Sequence, residues 1–135
     1  LDEYLTTSGV FLDCGAWNGV LSLHASTLAK EVHSFEPDPN AFAKLKYNVE
    51  ANKLSNVKLH NLAILDVDSH IELHINKPGD STSSIVCRPD NWWKTNTSVQ
   101  VKAIQLSKFI SENNIDNIDL IKLDIEAAEC KVLQE

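Results

Sequence analysis

The sequence predicts an α/β fold built on a doubly wound, mainly parallel sheet. Three observations lead there. Short apolar runs end in acids at Asp13, Glu36 and Asp124. Stretches of helical period separate the first of these runs. A segment around residues 69–104 changes to period-two alternation and reads as an antiparallel β insertion. The chain has 135 residues, a length that suits a single domain over 1–135.

Val10-Phe-Leu-Asp13 is the first apolar run, a strand buried on both faces and stopped by a turn at Gly15. Leu21, Ala25 and Leu28 then recur at helical spacing, which predicts a helix over Val20–Ala29. Val32–Phe35 is a second strand ending at Glu36. Pro37 and Pro39 stop it and prepare a helix start. Asn40–Asn52 is that helix, with Phe42, Leu45 and Val49 on one face and Asn52 at its end. Asn56–Ile64 reads as a third strand. Strand and helix alternate with short connections, the order that gives right-handed crossovers and helices on both faces of a parallel sheet.

Beyond this, Ser69–Asn76 sets His70, Glu72 and His74 against Ile71, Leu73 and Ile75. Lys77–Ser81 is a turn signal. Ser83–Cys87 and Ser98–Ile104 read as further extended pieces around a polar loop, Arg88–Thr97, that carries Trp92 and Trp93. Ser107 is the expected cap of a short helix, Lys108–Asn113. Asp119–Asp124 is a buried strand, and Ala127–Gln134 opens a helix.

Composition narrows the function. The formal net charge is −7, which argues against sequence-independent binding of nucleic acid, where Lys and Arg supply most of the affinity. No apolar run is long enough to cross a membrane. The N-terminus has neither the basic nor the apolar region of a signal peptide. Cys14, Cys87 and Cys130 are far apart and odd in number, so reduced thiols in a cytoplasmic protein are expected rather than a disulfide framework or zinc site. No metal site is expected, because His70 and His74 lack an evident third ligand. The chain has no Met, and it is expected to be a piece of a longer reading frame.

Three constellations carry chemistry. In Asp13-x-Gly15-x-x-x-Gly19, Gly15 permits a sharp turn and close approach of a ligand to the backbone, including that of Ala16. The following helix points its free N–H groups into the same crevice. Asp13 would repel a pyrophosphate but suits a ligand with an α-ammonium group. The same pattern also fits a tight turn whose acid caps the next helix. Glu36 lies about 20 residues beyond the glycine loop, where an acid at a strand end accepts ribose hydroxyls. Pro37 and Asp38 follow and would lie beside an adenine. Finally Asp124, Glu126 and Glu129 crowd the carboxyl end of a strand, the edge where open α/β sheets bind ligands. One of them can take or orient the proton of a substrate hydroxyl. Stabilisation of a helix N-terminus accounts for Glu129 equally well.

At this point VFLDCGAWNGVLSLHAS, VHSFEPDPNAFAKLKYNVEAN, NLAI and IDLIKLDIEAAECKVL, in this order from Val10 to Leu133, resemble the FkbM-type methyltransferases. The resemblance implies a Rossmann-like class I sheet of order 3-2-1-4, with the C-terminal strands of the full fold missing and a homodimer as one way to cover the exposed edge. It implies S-adenosyl-L-methionine as cofactor and O-methylation of a hydroxyl on a sugar, polyketide or similar small or glycan-linked substrate. Carried over, Asp13, Gly15, Ala16 and Gly19 would hold the methionine portion, and Glu36 the ribose. Pro37, Asp38, Asn61 and Ala63 would border the adenine. Asp124 and Glu126 would lie at the transferring methyl. Trp17 stands where family members often carry Asn, and Ala127 where they often carry Gly. Two other readings stay open: an NAD(P)-dependent oxidoreductase, disfavoured by a GxxxG rather than GxGxxG loop, and a non-catalytic cofactor-binding fragment.

Overall fold

A computed structural model describes residues 1–75, 97–125 and 129–134. Its main sheet is parallel and four-stranded: β1 (Val10–Cys14), β2 (Glu31–Phe35), β3 (Val57–His60) and β7 (Ile118–Leu123), in the order β3-β2-β1-β7. With β7 as the fourth parallel strand, this is the expected 3-2-1-4 order. A second, three-stranded sheet runs β4 (Ala63–Leu65), β6 (Ser98–Gln105), β5 (Ser69–His74).

Alternation along the main strands explains the layering. Phe11 and Val32 face the helices α1 (Val20–Ala25) and α2 (Pro39–Ala51), packing with Ala25, Leu45 and Val49. Leu12, Cys14 and Phe35 face the opposite way, onto Leu106 and Phe109 of α3 (Leu106–Glu112) and Val132 of α4 (Glu129–Val132). Phe11 and Phe35 are fully buried, each contributing roughly 2–3 kcal/mol of burial free energy. A third cluster, with Leu73, Ile75, Val101 and Ala103, sits on the second sheet.

Several elements differ from expectation. The third strand is two strands in two sheets. The Asn61 amide donates to the backbone oxygens of Glu36 (2.7 Å) and Pro37 (3.2 Å), which turns the chain between β3 and β4. Within the insertion β5 and β6 pair antiparallel as expected, and β4, which precedes it, joins β6 in parallel and makes the second sheet mixed. Helix α1 ends at Ala25, not Ala29, and buries Ser22 and Ala25 while Leu21 is exposed. Ser26 and Thr27 hydroxyls donate to the carbonyls of Leu23 and His24, competing with helix continuation. Ser107 is not the cap of α3. Gln105 stands at that position, and Ser107 lies inside the helix. Asp38, by contrast, caps α2 through bonds from the Asn40 and Ala41 N–H groups, with Pro39 in the first turn. The strand at Ser83–Cys87, the Trp92-Trp93 loop and Ala127 lie outside the described residues.

Candidate cofactor pocket

A cavity of about 220 Å³ opens at the carboxyl ends of β1, β2 and β7. Its lining includes Asp13, Gly15, Ala16, Glu36, Pro37, Ala63 and Asp124, so seven of the expected site residues converge there from four strand ends and their loops. Gly19, Asp38 and Asn61 are not part of this lining. Gly19 begins α1 at φ 90°, Asp38 is the fully buried cap of α2, and Asn61 fixes the loop that carries Glu36. Glu126 lies outside the described residues.

The loop after β1 has a backbone that few residues tolerate. Gly15 has φ 80°, and a Cβ there would fall 1.9 Å from the Asp124 backbone oxygen. The two strand ends are therefore in direct backbone contact, and the Asp124 N–H donates to the Cys14 oxygen (3.1 Å). Trp17 also adopts a positive φ, 50°. Asn visits that region readily. A bulky residue there is an outlier. Trp17 holds the conformation with its backbone N–H donating to Glu36 Oε2 (2.8 Å).

Glu36 is nearly buried, 7% exposed. The Asp38 N–H donates to its Oε1 (2.9 Å). Burial pushes the carboxyl up to about 7, against the opposing pull of these two backbone donors. Each carboxylate oxygen accepts one of these bonds and keeps capacity for a second.

Asp13 is fully buried. Ser34 Oγ donates to Ser22 Oγ (2.7 Å), and Ser22 Oγ donates to Asp13 Oδ2 (2.6 Å). That relay fixes the carboxylate. Among the described residues no hydrogen bond reaches Oδ1, although Lys122 Nζ stands 3.3 Å away at ion-pair distance. A buried carboxylate oxygen with spare acceptor capacity beside a cavity is a site for a cationic donor. Lys122 is the parallel neighbour of Asp13 across β1 and β7. Its ammonium donates to the Gly15 oxygen (2.6 Å) and lies 3.8 Å from Asp124 Oδ2.

Sequence reasoning missed Lys122, Ser22 and Ser34, together with the apolar wall of Leu62, Ile64 and Leu73. Lys122 had a signal: it is a cation inside an otherwise apolar strand. The serines had none, because their partners are distant in sequence. Glu129 accepts from the Ile125 N–H (2.9 Å), the helix-terminal role open to it from the sequence. Cys14 is buried, and burial raises its thiol to about 12, which leaves it protonated and unreactive. Among the described residues no three His, Cys, Asp or Glu side chains are grouped to hold a metal ion, and no helix is long and apolar enough to cross a membrane.

Residues 13–135 match the sequence profile described as the methyltransferase FkbM domain. The chain is 30% identical over 114 residues to the 2-O-methyltransferase NoeI of Sinorhizobium fredii, covering 76% of this chain and 46% of that protein. It is 26% identical over 140 residues to Methyltransferase 1 of Beauveria bassiana, covering 91% of this chain and 56% of that one. It thus spans about half the length of these relatives. Among solved structures, an FkbM methyltransferase from Methylobacillus flagellatus superposes with a TM-score of 0.58 at 19% identity, covering 96% of this chain and 29% of that one, a likeness of fold.

Proposed function

The chain belongs to the FkbM methyltransferase family, and on that premise we propose that residues 1–135 form an S-adenosylmethionine-binding domain serving O-methylation of a hydroxyl on a sugar, polyketide or similar small substrate. The observation that carries the proposal is the convergence of Asp13, Glu36 and Asp124, each from a different strand end, on one cavity.

The residues present fit the cofactor. The unfilled acceptor capacity of Asp13 Oδ1 and the Gly15 oxygen suit an α-ammonium. Glu36 suits the ribose hydroxyls. Pro37, Ala63 and the side chains of Leu62 and Ile64 offer an apolar slot for the adenine, with Asn61 holding the adjacent loop. Bound S-adenosylmethionine supplies an already activated methyl group on its sulfonium, so the protein contributes mainly position and exclusion of water. Asp124 is 71% exposed at the cavity mouth. There it orients an incoming hydroxyl and takes its proton, with Glu126 as the neighbouring acid. That NoeI is named a 2-O-methyltransferase supports oxygen as the acceptor atom.

Calorimetric titration with S-adenosylhomocysteine tests the proposal. Saturable one-to-one binding is expected, and a folded sample that shows none removes it.

A further inference from the structure

Lys122 is the cavity group for which the functional reading assigns no task. Its ammonium sits on the Gly15 oxygen, beside Asp13 Oδ1 and within reach of Asp124 Oδ2. The first two of these are the acceptors an amino-acid ligand's ammonium would need. On the reading that this cavity takes S-adenosylmethionine, we propose that in the free chain Lys122 occupies the position of the ligand's α-ammonium, and that the ligand binds by displacing it.

Chemical identity is the first support. The lysine head is an alkylammonium, the same group as the one it would stand in for, held by a carbonyl and a carboxylate. Two such groups cannot share the Gly15 oxygen and Asp13 Oδ1, because like charges within about 4 Å repel. Mobility is the second. Ser22 locks Asp13 in place, so the acid cannot follow the lysine. Lys122 has a flexible four-carbon stem, a side chain 21% exposed, and a more exposed acid, Asp124, on the solvent side. Its ammonium can leave the Gly15 oxygen and keep Asp124 as partner. The third support is what the arrangement achieves. Asp13 is fully buried, and a buried carboxylate without a counter-ion is costly. A tethered cation keeps it paired whenever the cavity is empty, at the expense of affinity for the ligand.

The test compares S-adenosylhomocysteine with 5′-methylthioadenosine, which lacks the amino-acid portion, on the wild type and on Lys122→Met. Removing the tethered competitor raises affinity for S-adenosylhomocysteine by about tenfold, the factor expected if the subsite is open about a tenth of the time. Affinity for 5′-methylthioadenosine stays unchanged. Weaker or equal binding of S-adenosylhomocysteine by Lys122→Met, with 5′-methylthioadenosine binding intact, overturns the inference. Weaker binding would assign the lysine to the ligand's carboxylate instead. Failure of both ligands to bind either protein sinks the functional proposal itself, and the inference with it.

Because Lys122→Met strips the partner from a buried acid, a second measurement uses the wild type alone. With lysine labelled at Cε, and Lys122 assigned through Lys122→Arg, S-adenosylhomocysteine moves the Lys122 resonance toward those of exposed lysines while 5′-methylthioadenosine leaves it in place. A Lys122 resonance unmoved by bound S-adenosylhomocysteine overturns the proposal independently of any folding defect.

Discussion

Glu36 carries opposing demands on one side chain. The proposed binding of ribose hydroxyls would favour its ionised form, whereas burial favours the neutral one. Its carboxyl titrates near 4.5 when unperturbed and at about 7 in the fold. Between those values the folded chain binds more protons than the unfolded chain, so its contribution to stability falls as pH rises through the window. The cost by pH 8 is about 3 kcal/mol. Glu36→Gln removes the titration. Measured by urea unfolding, the stability of Glu36→Gln relative to wild type therefore increases by about that amount between pH 4.5 and 8, and a constant difference would assign the titration elsewhere. Affinity of the wild type for S-adenosylhomocysteine follows the same ionisation, falling about tenfold per pH unit below 7.

At the scale of elements, β2 and β3 are joined by more than their ladder. Glu31 Oε1 can only accept, so His33 Nε2 donates to it (2.5 Å), and Lys58 Nζ donates to the same oxygen (2.9 Å). That leaves His33 Nδ1 as the acceptor for the His60 Nε2–H (3.0 Å). The two rings lie edge to edge with their planes 5° apart, and His60 also lies against Phe35 and Phe109 of α3. Burial holds both imidazoles neutral: His33 is lowered, and His60 is lowered from 6.5 to about 4. Here the unfolded chain binds more protons, so stability is lost as pH falls from 6.5 toward 4, by about 3 kcal/mol for His60. This opposes the Glu36 effect over nearly the same window, so the wild type shows little net slope from the two together. His60→Phe keeps the aromatic packing and removes the imidazole. Its stability declines from pH 4.5 to 7, with only His33 left to oppose Glu36, while Glu36→Gln shows the reverse slope. Thermal melts across that range check both, and two variants with the same slope would refute the pairing.

The whole molecule places its cavity between two sheets. Asp13, Glu36 and Lys122 come from the parallel sheet and its loops, and Ala63, Ile64 and Leu73 from the mixed one. Ile125, just beyond β7, packs against clusters on both. A ligand in the cavity therefore ties the sheets together. Saturation at a hundredfold excess over Kd adds about 2.7 kcal/mol to stability. Amide hydrogen exchange is expected to slow in β4 and β7 together when S-adenosylhomocysteine binds. Protection confined to β1 and β2 would show that the mixed sheet takes no part in the site.

The sequence by itself determined the alternation of strands and helices, the glycine turn after β1 and the acids at the strand ends. These rest on local chemistry: apolar runs of strand length, helical period, and a positive φ at Gly15 that other residues resist. Only the tertiary structure decided that Asn56–Ile64 divides between two sheets, that Asp38 caps α2, that Ser22 and Ser34 brace Asp13, and that Lys122 stands beside it. Each of those depends on which distant backbone lies next to the residue. Lys122 meets Asp13 because β7 pairs with β1 in one particular register, and the packing of the two sheet faces, rather than any pattern within either strand, selects that register.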